Sequence, residues 1–159
     1  MTVGSMFPFD RLIRAMDEHV AAGRITDEVV AQIGSGDYEP RHFRFERFME
    51  KGPFEHLLRT ADCIVSHAGI GSIATALAHD KPMLVLPRLK RHGEHVNDHQ
   101  VATAKKYAEL GHVLVAYDEA EIAQVLSRLA EFRPAPRVVN TVGVAERVGQ
   151  FLHQVMQKR

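Results

Sequence analysis

The sequence predicts an α/β fold in which a parallel sheet is covered by helices on both faces. Three observations predict it. Short apolar, β-branched runs alternate with helical patterns along the chain, the connections are short, and glycine turns fall where strands pass into helices. "PMLVLP" (82–87) is the clearest strand, apolar throughout, as in a strand buried on both faces. In open parallel sheets ligands bind beyond the carboxyl ends of the strands, so the glycine turns are the first place to seek a site.

The elements follow in order. "MTVG" (1–4) reads as the tail of a strand, so short that its start is truncated or misassigned, and the turn "SMFPF" comes next, with the apolar residues of "MFPF" expected to be exposed for a partner or else to complete the core. Asp10–Ala22 reads as a helix, with Leu12, Ile13, Met16 and Val20 on one face and Gly23 as its stop. "EVVAQIGSG" is a strand running into a glycine turn, and "RHFRFERFM", with Phe43, Phe45 and Phe48 in imperfect alternation, is another strand. Pro53 opens a short helix over Phe54–Thr60, because proline suits a first helical turn. Cys63–Ser66 is the next strand and Ile70–His79 the helix after it. Asn97–Leu110 is a helix stopped by Gly111, "HVLVAY" is a final strand, and Asp118 caps a helix over Glu119–Glu131. "RPAPR" breaks the chain. A last helix, about 142–157, carries Val144, Val148, Phe151, Leu152 and Val155 at spacings of three and four, an apolar stripe expected to pack on the core or on a partner, the core first.

Composition narrows the function. The 159 residues make one domain, 45% apolar and 25% charged, with 20 basic against 20 acidic residues and hence no electrostatic footprint for nucleic acid. No run approaches the length of a membrane span, and the start lacks the pattern of a signal peptide, so a cytoplasmic protein is expected. The single cysteine, Cys63, reads as a small buried hydrophobe in a reducing compartment.

Gly69-Ile70-Gly71-Ser72-Ile73-Ala74 fits the dinucleotide fingerprint, with a strand before it and a helix after. Two features count against NAD. The turn follows roughly the fourth strand rather than the first, and the next strand ends in Pro87-Arg88 instead of an acidic residue for the ribose. A tight turn that uses glycine only for backbone freedom remains the plain alternative. "VGS" (3–5) and "IGSG" (33–36) are companion turns, so Gly4, Ser5 and Gly34 join the central turn at one sheet edge, where N–H and hydroxyl donors suit a diphosphate.

"PRLKRHGEHVNDHQ" (87–100) gathers His92, His95 and His99 with Glu94 and Asp98. His95 and His99 share a helix face, but the segment has no HExxH and no carboxylate at a distinctive spacing, so no metal is expected. Asn97 and Gln100, with paired donors and acceptors, suit sugar hydroxyls.

Taken together, "VGSMFPFDRLI", "QIGSG", "ADCIVSHAGIGSIATAL", "KPMLVLP" and "NDHQ" resemble the C-terminal domain of glycosyltransferase family 28. The resemblance covers nearly the whole chain. It implies the nucleotide-sugar-binding half of a GT-B fold, Rossmann-like, and it extends to stand-alone forms: the small subunit of the dolichol-linked N-acetylglucosaminyltransferase and a bacterial exopolysaccharide subunit that is glucuronosyltransferase-like. Carried onto this sequence, Gly4 and Ser5 match the first phosphate-facing turn, and His67, Gly69, Gly71 and Ser72 the central diphosphate loop. Gln100 matches the glutamine that binds the donor sugar, with Asn97 and His99 beside it. Phe48, Met49 and Phe54 lie where the family positions the uracil ring, although core packing is the expected fate of at least two of them. Thr75 stands where the family commonly places a glutamate on the ribose hydroxyls, which puts that contact in doubt.

The resemblance implies an inverting transferase that binds a UDP-sugar, needs no cofactor, and works with a membrane-associated, acceptor-binding subunit on a polyprenyl-diphosphate-linked acceptor. Such a partner would recruit the chain to the inner face of the membrane. The general base is unassigned: it is expected on the partner, with His92 and His95 as candidates in this chain. Arg88, Lys90 and Arg91 would suit the carboxylate of glucuronic acid. The alternatives are a non-catalytic subunit that binds a nucleotide-sugar or a partner, and half of a nucleotide-sugar epimerase, disfavoured because the turns offer few carboxylates.

Overall fold

The computed structural model describes residues 1–137 and 141–156. Among the described residues five short strands form, β1 (Val30–Gln32), β2 (Arg44–Glu46), β3 (Ile64–His67), β4 (Met83–Leu86) and β5 (Leu114–Val115). β1 pairs with β2, and β3 with β4 and β4 with β5, all in parallel. Thr2 joins the two groups, bridging to Gln32 on one side and Ser66 on the other. With Thr2 counted as the first strand, the sheet runs 3-2-1-4-5-6, the doubly wound order. The short opening strand of the sequence is thus a single central bridge, held by Thr2 N–H on Val65 O and Val3 N–H on Gln32 O. The chain reverses direction across the sheet between Thr2 and β3, and that switch point is where such folds hold ligands.

The helices are α1 (Asp10–Ala21), α2 (Lys51–Thr60), α3 (Ile70–Ala78), α4 (His99–Glu109), α5 (Ile122–Leu129) and α6 (Thr141–Met156). Gly111, at φ +69°, turns the chain out of α4 as its position predicts. Asp118 accepts Ala120 N–H at 3.0 Å, but the turn it caps is a 3₁₀ turn, Glu119–Glu121, ahead of α5.

β3 and β4 alternate between two apolar clusters. Val65, Leu84 and Leu86 join Val3, Phe9, Leu12, Ile13, Ile122 and Leu129, from the side of α1 and α5. Ile64, Met83 and Val85 join Leu58, Ile73, Leu77 and Ala104, from α2, α3 and α4. Helices therefore cover both faces, and all four residues of β4 are buried. Each fully buried Leu or Ile side chain stabilises by roughly 1.5–3 kcal/mol.

Several expectations change. Cys63 is exposed, because it precedes β3 rather than lying in it. In the "MFPF" turn Met6 is exposed while Phe9 is fully buried in the α1 cluster. The stripe on α6 does not enter the core: Val148, Phe151, Leu152 and Val155 are exposed, since α1, α5 and α2–α4 already cover the two sheet faces. Val144 lies outside the residues whose side chains are described.

Candidate functional site

The site lies at the carboxyl edge of the sheet, at the switch point. β3 ends in His67, and Gly69 caps α3 in extended conformation. Ile73 N–H makes the first helical bond, to Gly69 O at 3.1 Å, so the N–H groups of Ile70, Gly71 and Ser72 open the helix without intrahelical acceptors. With the helix dipole they form an anion-binding end.

His67 fills the space between the first turn and this one. A Cβ on Gly4 would lie 3.0 Å from its Cε1, and a Cβ on Gly69 would overlap the ring. Glycine is required at both positions by this close approach. The His67 Nδ1 lies 3.1 Å from Ser66 Oγ. Burial, with the nearby Arg88 and His95 charges, lowers the His67 pKa to about 4, so the ring is neutral at physiological pH.

The first turn is held by Gln32. Its Nε2 donates to Gly4 O at 3.1 Å and to Arg47 O at 2.9 Å, while its Oε1 accepts Gly4 N–H at 3.2 Å and Thr2 Oγ1 at 2.7 Å. Gly4 therefore contributes its φ of +75° and not its N–H. Ser5 is exposed, and its N–H makes no hydrogen bond among the described residues. Gly34 corrects the sequence reading. It is buried against the first turn, where a Cβ would lie 2.9 Å from Gly4 O, so it supports that turn instead of facing a ligand. Arg47 Nη1 holds the neighbouring Gly36 O at 2.8 Å.

The segment after β4 closes the other side. Gln100 is buried and its Oε1 accepts Arg88 N–H at 3.1 Å. Its amide Nε2 makes no hydrogen bond among the described residues. Arg88, which the sequence assigns to a sugar carboxylate, is buried in the fold: its Nη2 donates to Val3 O and Phe7 O, both at 2.6 Å. Glu94 accepts Arg11 Nε at 2.7 Å and Leu89 N–H at 2.8 Å, strapping the segment to α1.

His95 stacks on Phe7 with centroids 4.8 Å apart and meets His99 edge-on at 4.5 Å. Burial, then the His99 and Arg88 charges, lowers its pKa, and its Nδ1 is buried without a partner. His92 is exposed and accepts from Arg91 Nε. Asn97 and His99 are exposed too, and Asn97 Oδ1 accepts His99 N–H at 3.2 Å in the turn that leads into α4. Lys90 and Arg91 remain exposed. Thr75 spends its hydroxyl hydrogen on Gly71 O at 2.9 Å, the back-bond of a helical threonine, which leaves its lone pairs as acceptors. Phe54 packs against the α2–α4 cluster, Met49 is half-buried and Phe48 exposed.

The structure thus brings together Gly4, Ser5, His67, Gly69, Gly71, Ser72 and Gln100, and turns Gly34 and Asn97 to supporting work. No three or more His, Cys, Asp or Glu residues gather as a metal site among the described residues. Sequence reasoning missed Gln32, whose signal is a polar residue inside the run "VVAQIG", and the inward course of Arg88. A separate open cleft of about 720 Å³, lined by Arg14, Asp17, Tyr38, His42 and Phe45 among others, touches none of the glycine turns. Asp17, behind it, is pushed up by burial, but Tyr38 O–H and the Arg41 and His42 N–H groups hold its pKa below the ordinary value.

Comparison with known proteins bears on the family and the fold. The chain is 34% identical over 92 residues to the mouse (Mus musculus) UDP-N-acetylglucosamine transferase subunit ALG13, covering 55% of this chain and 8% of that protein. The human (Homo sapiens) ALG13 is 30% identical over 122 residues, 71% of this chain and 10% of that one. The chain therefore spans about a tenth of the curated relatives it matches. Among solved structures, the glycosyltransferase SnogD from Streptomyces nogalater superimposes with a TM-score of 0.60 at 25% identity, covering 81% of this chain and 33% of that one. The calicheamicin glycosyltransferase CalG4 gives 0.57 at 19% identity, covering 98% of this chain and 38% of that one, a likeness of fold. The fold is the Rossmann-like, C-terminal half of a GT-B glycosyltransferase. The glycosyltransferase family 28 C-terminal domain matches residues 1–144, and the chain belongs to that family.

Proposed function

We propose that this domain binds a UDP-sugar at the switch point and, with a membrane-associated acceptor-binding subunit, transfers the sugar with inversion to a polyprenyl-diphosphate-linked acceptor. The observation that carries the reading is the set of open N–H groups of Ile70, Gly71 and Ser72 beside Ser5, across a neutral His67. As the acceptor hydroxyl attacks the anomeric carbon, the bond to UDP breaks and negative charge gathers on the leaving diphosphate. Fixed dipoles already aimed at that charge stabilise it without reorganising. The acceptor proton passes to a base on the partner subunit, with His95, kept neutral by burial, as the alternative within this chain. Gln100, anchored by its oxygen on Arg88 N–H, directs its amide donors at the sugar hydroxyls.

The partner reading is supported by the name of the mammalian relatives, which are subunits. No helix among the described residues is long and apolar enough to cross a membrane. In this reading the partner supplies the attachment to the cytoplasmic face. Two donor sugars are in view. The relatives' names favour N-acetylglucosamine, while exposed Lys90 and Arg91 favour glucuronic acid in an exopolysaccharide pathway.

Calorimetry with UDP, UDP-N-acetylglucosamine, UDP-glucuronic acid and NAD, followed by transfer assays with and without the partner, tests this. UDP binding and partner-dependent transfer that falls at least tenfold in Ser72→Ala and Gln100→Ala are the expected results. Tight NAD binding without a UDP response overturns the reading. UDP-sugar binding with no transfer under any condition favours a non-catalytic subunit instead.

A further inference from the structure

Arg88 lies two residues beyond the end of β4 and is 3% exposed. Taking a cation that far out of water is costly unless an anion accompanies it. Among the described residues, no carboxylate lies within ion-pair distance of its guanidinium. Glu94, whose charge favours the protonated Arg88, is already gripped by Arg11 at both oxygens, 2.7 and 2.9 Å away. Burial brings the Arg88 pKa down to about 10, which leaves it cationic at neutral pH.

What the guanidinium does have is the first turn. Nη2 takes the carbonyls of Val3 and Phe7, both at 2.6 Å, the ring of Phe9 lies 5.1 Å away, and Nε is buried without an acceptor. The two carbonyls bracket Gly4–Met6 and are drawn inward, and Ser5 between them is exposed with its N–H unbonded among the described residues. Arg47 holds the carbonyls of Gly34 and Gly36 in a similar way, but its charge is met by Glu39 at 2.7 Å. Arg88 differs in having no such carboxylate.

We propose that Arg88 is a positioning residue for the leaving diphosphate: it fixes the first turn through two backbone carbonyls and stands behind that turn as a buried positive charge whose counter-ion is the donor's phosphate. This rests on the nucleotide-sugar reading above. The charge reaches the site, because Arg88 is among the causes that, after burial, hold both His67 and His95 below the ordinary imidazole range. A field that opposes a proton on His67 favours an anion beside it. Arginine suits the position because its Nη2 serves two carbonyls while its Cζ sits over the Phe9 ring, a pair of contacts that the compact ammonium of lysine reproduces only in part.

Arg88→Met and Arg88→Gln remove the charge, and Arg88→Lys keeps it without the fork. Each is measured by calorimetry with UDP and by NMR titration of the His67 ring, on variants whose fold is checked by circular dichroism. UDP affinity is expected to fall about 10- to 30-fold in the neutral variants, the order that a unit charge exerts through protein, and to recover in part in Arg88→Lys. His67 is expected to titrate at higher pH in the neutral variants and to stay low in Arg88→Lys, which also loses the guanidinium contacts, so the comparison separates the charge from a loss of burial at His67. A folded neutral variant that binds UDP like the wild type, or leaves His67 titrating where it did, overturns the inference and leaves the nucleotide-sugar reading standing. A wild type that binds no UDP overturns that reading, and the counter-ion assignment with it.

Discussion

Acid should destabilise this domain through His67. The ring lies between Gly4 and Gly69 with its Nδ1 on Ser66 Oγ, and it faces the Arg88 and His95 charges, so a proton on it is opposed from several sides. Its pKa drops from 6.5 to about 4 on folding. As pH falls below 6.5 the unfolded chain takes the proton and the folded chain does not, so the stability present above that pH is progressively lost until about pH 4. Each pH unit within that window costs about 1.4 kcal/mol, so the loss between pH 7 and pH 4.5 comes to about 2 kcal/mol from this group. His95, also lowered, adds in the same direction. Urea unfolding at both pH values, on the wild type and on His67→Asn, isolates the share of His67. The variant is expected to lose about 2 kcal/mol less than the wild type over that interval, whatever its stability at pH 7. Equal losses in the two proteins refute the assignment of a buried neutral imidazole at the switch point.

Two further substitutions follow from the packing. Gly69→Ala asks nothing of the backbone, whose φ is −81°, but its Cβ would overlap the His67 ring; a folded protein with a displaced His67 and UDP affinity reduced tenfold or more is expected by calorimetry, and unchanged affinity contradicts the close approach. Leu84 is fully buried in the middle of β4, so Leu84→Ala should cost about 2–5 kcal/mol in urea unfolding while leaving the edge of the sheet competent for UDP.

Much of the fold was legible because its signals are local. "PMLVLP" is buried along its length, Gly23 and Gly111 end helices where their positions say, and the strand–helix alternation gives the parallel sheet. The departures are those that local patterns cannot decide. A single residue at Thr2 serves as the central strand because neighbours on both sides supply its partners, and no periodicity exists in one residue. The stripe on α6 has the right period, yet period says only that a face is apolar and not what covers it. Cys63 looked like strand, and one residue of register exposes it.

The three Gly-Ser turns show the same limit at the site. In sequence they are alike, and in three dimensions two of the glycines answer the His67 ring and the third answers the first turn itself. Gly4 makes room for the His67 ring while Gln32 holds its amide and carbonyl, Gly34 makes room for Gly4 O, and Gly69 makes room for the His67 ring from the other side. Only the third of these opens a helix of its own, so the open N–H groups concentrate at one place instead of ringing the sheet edge. The polar groups that fix this arrangement, Gln32, Arg47 and Arg88, lie behind the turns. They act on backbone atoms, which carry no residue signature, so a reading of side chains assigns Arg88 to a sugar when its Nη2 is spent on the Val3 and Phe7 carbonyls. An anion at this point would meet backbone donors in front and a buried guanidinium behind, with a neutral imidazole between. That arrangement favours a diphosphate over a neutral ligand.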